Sequence, residues 1–204
     1  MSETVKSEQI GYNIIAGLVP ENSRVLDLGC GDGSLLHLLQ ETKNVKGLGV
    51  EISEDNVSLC VEKGLYCFQA DIDEGLTDYK DNAFDIVILN QTLQSTKRPD
   101  FVIKEIMRIG KKAIISFPNF AYIKIRMQFL FKGSMPVSTS IPFEWYETPN
   151  IHMVTIRDFE KYCKDKRCSI DMRAHFNIRG GKTSRARCLP NLFAEYGLFV
   201  LNGE

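Results

Sequence analysis

The sequence predicts an α/β fold built around a mostly parallel sheet, and three observations predict it. Short apolar runs alternate with helical patterns as far as residue 117. The run FDIVIL at residues 84–89 is apolar almost throughout, as a strand buried on both faces must be. Three glycines at alternate positions, Gly29, Gly31 and Gly33, follow the first apolar run where a strand turns into a helix.

Each element has its own reason. Residues 5–18 place Ile10, Ile14, Ile15 and Leu18 on one helical face, and Pro20 stops that helix. Residues 24–28 form the first strand, and 34–41 a helix with Leu35, Leu38 and Leu39 inward. A second strand at 45–51 leads to Ser53, a side chain suited to cap the helix through Val57 and Val61. Gly64 stands where that helix needs a C-terminal cap. The third strand is expected at 65–70 and the fourth at 84–89. Pro99 opens a helix carrying Val102, Ile103, Ile106 and Met107, and it ends near Gly110. The fifth strand is expected at 113–117.

Beyond Pro118 the rhythm changes. Residues 120–131 read as an amphipathic helix, and an aromatic, proline-bearing stretch follows to His152. TIRD at 155–158 has the form of a capping box. Two last strands are expected near 169–177 and 195–201. The basic connection between them carries Arg179, Lys182, Arg185 and Arg187. No aromatic platform is interleaved with those cations, so a solvated hairpin is expected there rather than an RNA surface. With no repeat or linker to divide it, residues 1–204 are expected to form one domain, with an aromatic cover at about 118–152.

Composition narrows the function. A formal net charge of -1 makes the whole chain a poor neutraliser of nucleic acid. No apolar run is long enough for a bilayer, and MSETVKSEQIGYN lacks the apolar segment of a signal peptide, so a cytoplasmic protein is expected. The six cysteines form no C-x-x-C pair and the three histidines do not cluster with them, so no metal site is expected.

The glycines let a ligand approach the main chain. Two acids follow at successive strand ends. Glu51 suits the two hydroxyls of a ribose, and Asp71 suits the exocyclic amine of adenine. Together they outline an adenosine. A dinucleotide fingerprint needs Gly or Ala at position 34, which is Ser34, and Asp27 would repel a pyrophosphate. Asp27 suits instead a ligand with an ammonium and a sulfonium, so the expected cofactor is S-adenosylmethionine.

VLDLGCGDG, GVEIS, QADI and FDIVILNQTLQ resemble the successive motifs of class I S-adenosylmethionine-dependent methyltransferases. From about residue 25 onward, NQTLQST, SFPNFAYIKIRMQ, GSMPVS and PFEWYETPNIHMVTIRDFE are similar to the MetW family of methionine biosynthesis proteins. The resemblance implies a Rossmann-like, doubly wound sheet of seven strands with the last antiparallel. It implies Gly29, Cys30, Gly31 and Gly33 beneath the methionyl part of the cofactor, with Asp27 holding its amino group. It implies Glu51 on the ribose, Ile52 against the adenine, Asp71 and Ile72 at the adenine edge, and Asn90 near the methyl group. Ala121 departs from the family pattern, which has glycine there.

On the substrate side the cover offers Trp145, Tyr146 and His152, with His152 or Tyr146 as acid/base candidates. Two functions stay open. The expected one is an enzyme, an S-adenosylmethionine-dependent methyltransferase acting on an unidentified small molecule. The other is a non-catalytic sensor or partner of a MetX-type homoserine O-acyltransferase, which the resemblance implies. An exposed apolar patch over the helix at 120–131 favours the partner.

Overall fold

The computed structural model describes residues 11–138, 140–179 and 182–203. The described part of α1 is helical at 11–16; the expected start of this helix at 5–10 lies outside the described residues. The order then runs β1 (Arg24–Leu28), α2 (Ser34–Lys43), β2 (Lys46–Glu51), α3 (Glu54–Glu62), β3 (Cys67–Gln69), β4 (Phe84–Asn90), a 3-10 turn (Leu93–Ser95), α4 (Pro99–Ile109) and β5 (Gly110–Pro118). It finishes with α5 (Ile123–Lys132), α6 (Ile156–Asp165), β6 (Ile170–Arg179), β7 (Lys182–Arg185), α7 (Pro190–Phe193) and β8 (Tyr196–Asn202).

The described residues form one sheet in the order β3-β2-β1-β4-β5-β8-β6-β7. Strands β1 to β5 are parallel, and the last strand, β8, runs antiparallel to β5. The expected doubly wound architecture is present with eight strands rather than seven. The additional one is β7, four exposed polar residues that pair antiparallel with β6 inside the basic connection. An edge strand of that composition has no apolar alternation to announce it.

Alternation on β4 shows how the sheet is covered on both sides. Val87 and Leu89 join the cluster containing Ile103, Ile106, Phe117, Phe159 and Phe199. Ile86 and Ile88 join the opposite cluster containing Ile15, Leu36, Leu39, Leu198 and Val200. Helix starts follow local chemistry. Ser53 accepts from the Asn56 amide at 3.4 Å, and Thr155 accepts from the Asp158 amide at 3.1 Å while donating to its carboxylate at 2.6 Å.

Several boundaries differ from expectation, three of them by more than two residues or with a visible cause. β3 shrinks to three residues at the sheet edge, with Phe68 exposed. β5 extends to nine residues because β4 pairs with it from Gly110 and β8 pairs with it as far as Pro118. α5 begins at Ile123 rather than 120, because the fully buried Asn119 holds a turn. Its Nδ2 donates to the Ala194 and Asn191 carbonyls, and its Oδ1 accepts from the Ala121 amide. α5 also buries little: only Ile125 is buried within it, while Leu130 and Phe131 are exposed.

Candidate functional site

The sheet changes winding direction between β1 and β4, and ligands of such sheets bind at the strand ends beside that point. There Gly29, Gly31 and Gly33 all take positive φ, at 68°, 56° and 75°. Their reasons differ. A Cβ on Gly29 would lie 2.5 Å from Thr92 Cγ2, and one on Gly33 would collide with Leu65 and Cys60. Those two glycines allow close packing. A Cβ on Gly31 would meet nothing within 4 Å, so this glycine borders open space.

Glu51 closes the turn. Its Oε2 accepts from the Gly31 amide at 2.8 Å, and its Oε1 accepts from Ile52 and Ser53, both at 3.0 Å. Asp27 is 2% exposed, and its Oδ1 has no hydrogen-bond partner among the described residues. Burial first, and the neighbouring Glu51 carboxylate second, push its carboxyl from the ordinary 3.8 up to about 7. Beneath the turn lie Cys30, Cys60 and Cys67, and burial pushes the Cys60 thiol up to about 11 and Cys30 higher still.

Two cavities open here. One, of about 260 Å³, is walled by Gly29, Glu51, Ile52, Asp71, Ile72 and Thr92, among others. The other, of about 150 Å³, is walled by Tyr12, Asp27, Gly29, Cys30, Gly31 and Asn90, among others. Gly29 and Gln91 belong to both walls. Ile52 is exposed at the first cavity's rim, while Ile72 is buried and packs into the core. Asp71 Oδ1 accepts from the Asp73 amide at 2.9 Å, and its Oδ2 lies 3.6 Å from Lys97 Nζ. Asn90 Oδ1 accepts from the Ser116 hydroxyl, which fixes the amide's orientation.

Nine of the residues expected at the cofactor therefore line one or other cavity. Gly33 stands apart as the N-cap of α2. The substrate-side candidates are placed differently. Trp145 and Tyr146 are 69% and 66% exposed, pack edge-to-face at 5.6 Å, and line neither cavity. His152 lines a third cavity of about 350 Å³ with Pro99, Ile103, Met153, Phe159 and Tyr162. Its Nε2 is buried without a partner among the described residues. The amides of Ile151 and His152 both donate to the Gln94 carbonyl, at 2.8 and 2.9 Å, so this segment is tied to the 3-10 turn.

Sequence reasoning overlooked Gln91, Thr92, Lys97 and Asp73. Asp73 is buried and accepts from the Lys97 and Arg98 amides, both at 2.8 Å, locking the loop after β3 to the start of α4. The nearest signal was NQT at the end of β4, a polar run directly after a buried strand.

The family model of the methionine biosynthesis protein MetW matches residues 9–201. The chain belongs to the MetW family. It is 32% identical, over 199 residues, to the bifunctional methionine biosynthesis protein MetXA/MetW of Rhodopirellula baltica. That match covers 93% of this chain and 32% of the relative, so this MetW-family chain spans about a third of the bifunctional protein's length. Among solved structures, a Thermotoga maritima S-adenosylmethionine-dependent methyltransferase, described as a possible histamine N-methyltransferase, superposes with a TM-score of 0.71 at 15% identity. It covers 99% of this chain and 92% of that one. The [4+2]-cyclase SpnF superposes at 0.61 with 18% identity, over 81% of this chain and 58% of that one. The MetW family thus has the methyltransferase fold, and that fold also carries a reaction named as a cyclisation.

Proposed function

We propose that this protein binds S-adenosylmethionine across the two cavities and acts as a ligand-responsive partner of a MetX-type homoserine O-acyltransferase. The residues fit the cofactor. Open space at Gly31 admits the methionyl chain against the backbone, and the unpartnered Asp27 oxygen suits its ammonium group. Glu51 Oε2 accepts a single protein bond and keeps acceptor capacity for a ribose hydroxyl. Ile52 would cover the adenine and Asp71 would face its amine.

The observation that carries the partner role is the apolar surface on and after α5. Leu130, Phe131, Trp145 and Met153 are each at least 66% exposed, and Met127, Phe129 and Phe143 are exposed as well. Isolated exposed apolar residues are ordinary, whereas a run of this kind marks an interaction surface. The Rhodopirellula relative has both names in one chain, and a fusion holds two partners at high effective concentration.

The test is association. The protein and a homoserine O-acetyltransferase should co-elute on gel filtration, with acyltransferase activity depending on S-adenosylmethionine concentration. Independent elution and an unaltered acyltransferase would reject the partner role.

Methyl transfer stays as the second reading, supported by the cavity that brings Asp27 and Asn90 together at the strand ends. A sulfonium methyl is already electrophilic, so the protein's part would be to align the acceptor and exclude water. Labelled cofactor incubated with small-molecule extract separates the two readings.

A further inference from the structure

We propose that Cys30, Cys60 and Cys67 form a trigonal three-sulfur site for a soft monovalent metal ion, Cu(I). The three come from separate elements: the turn after β1, helix α3 and edge strand β3. Their Sγ atoms lie 3.9 Å apart for Cys30 and Cys60 and 3.6 Å for Cys30 and Cys67, and all three lie within 4.8 Å of one another. A metal–sulfur bond of about 2.3 Å requires a trigonal triangle with edges of about 4 Å. The sulfurs are thus spaced for an ion at their centre and too far apart to be bonded to each other.

The surroundings keep that space clear. A Cβ on Gly49 would lie 2.7 Å from Cys30 Sγ and 3.2 Å from Cys67 Sγ, and one on Gly33 would lie 2.8 Å from Cys60 Sγ. Two glycines therefore leave the sulfurs uncrowded. Cys60 is fully buried, Cys30 is 9% exposed and Cys67 is half-buried, so an ion there is shielded yet reachable from the β3 edge.

The donor set selects the ion. No histidine or carboxylate belongs to the cluster among the described residues. Structural zinc takes four ligands, whereas thiolates without a fourth partner suit Cu(I). Binding exchanges three S–H protons for one ion, the protons pass to solvent, and no electron is transferred. The bound ion would join the glycine turn to α3 and β3. This inference stands on the sulfur geometry, and Cys30 is the one residue it shares with the wall of the cavity of about 150 Å³.

The test is a competition titration. Reduced protein, kept anaerobic, is added to Cu(I) held by the coloured chelator bicinchoninate. The protein should withdraw one Cu(I) per chain, and X-ray absorption should show three sulfur neighbours at about 2.3 Å. Cys67→Ser, at the half-buried corner, should weaken the apparent affinity tenfold or more. Cys188→Ser, exposed and outside the cluster, should leave it unchanged. Thermal melts of the metal-free variants establish that each is folded. No withdrawal of copper by the wild type would overturn the proposal. So would retention of full affinity by folded Cys67→Ser, or loss of binding through Cys163→Ser instead.

Discussion

Replacing Asp27 by asparagine keeps its shape and removes a buried charge, and the effect can be worked from the structure. The free protein holds this carboxyl at about 7 against an ordinary 3.8, because burial and Glu51 both disfavour ionisation. The native state therefore binds more protons than the unfolded state between those values, and stability falls as pH rises. Below about pH 4 both states are protonated and the cost is absent. It accumulates through about pH 7 and is constant above. Integrating the linkage from pH 5 to pH 8 gives a loss of about 2–3 kcal/mol from this residue alone. Urea unfolding at both pH values should show that loss in the wild type and its absence in Asp27→Asn, which should be the more stable protein at pH 8. A cationic ligand should show the opposite preference, since its ammonium needs the ionised form. Calorimetry should find S-adenosylmethionine binding tighter at pH 8 than at pH 6 in the wild type, and greatly weakened in the variant. Parallel stability profiles for the two proteins would refute the reasoning, because the carboxyl would then titrate normally.

Three further outcomes follow from particular contacts. Gly31→Ala should cost about 1–2 kcal/mol through its positive φ alone, while Gly33→Ala, which also collides with Leu65 and Cys60, should cost about 2–4 kcal/mol. Only Gly31→Ala should lose cofactor affinity beyond its loss of stability, and thermal melts with calorimetry check both. Asp73→Ala leaves two amides without their carboxylate and should cost about 2–3 kcal/mol in chemical denaturation, with Asp73→Asn recovering part of it. Leu130→Ser combined with Phe131→Ser should change stability by less than about 0.5 kcal/mol yet abolish co-elution with the acyltransferase.

The parallel half of the sheet was legible because burial on both faces demands uninterrupted apolar runs, and FDIVIL supplies one. The helix starts at Ser53, Pro99 and Thr155 were legible for a local reason: each residue acts within one turn of its own helix. What escaped notice depends on distant partners. β7 exists because β6 lies beside it, and its Lys-Thr-Ser-Arg sequence has no strand pattern of its own. The start of α5 is set by Asn119 reaching carbonyls more than seventy residues away. Asp71 and Asp73 look alike in the sequence. Yet Asp71 faces a cavity, whereas Asp73 is a buried acceptor tying two loops. The sulfur cluster is hidden from spacing rules for the same reason, since three elements contribute one cysteine each. The aromatic stretch was legible from composition alone, which does not say which way a loop turns. Trp145 and Tyr146 turn outward.

The Gln94 carbonyl, which accepts from both Ile151 and His152, gives the molecule a pivot. On one side of that peptide group is the turn that, with Thr92, Ser95 and Thr96, walls the cavity of about 260 Å³. On the other side begins the chain that returns from the exposed aromatic surface. A shift of the turn of a few tenths of an ångström must either be transmitted to that chain or break two backbone bonds at once. The cheaper course is to move together. The cavity wall and the chain returning from Trp145 and Tyr146 are thus joined through a single oxygen atom.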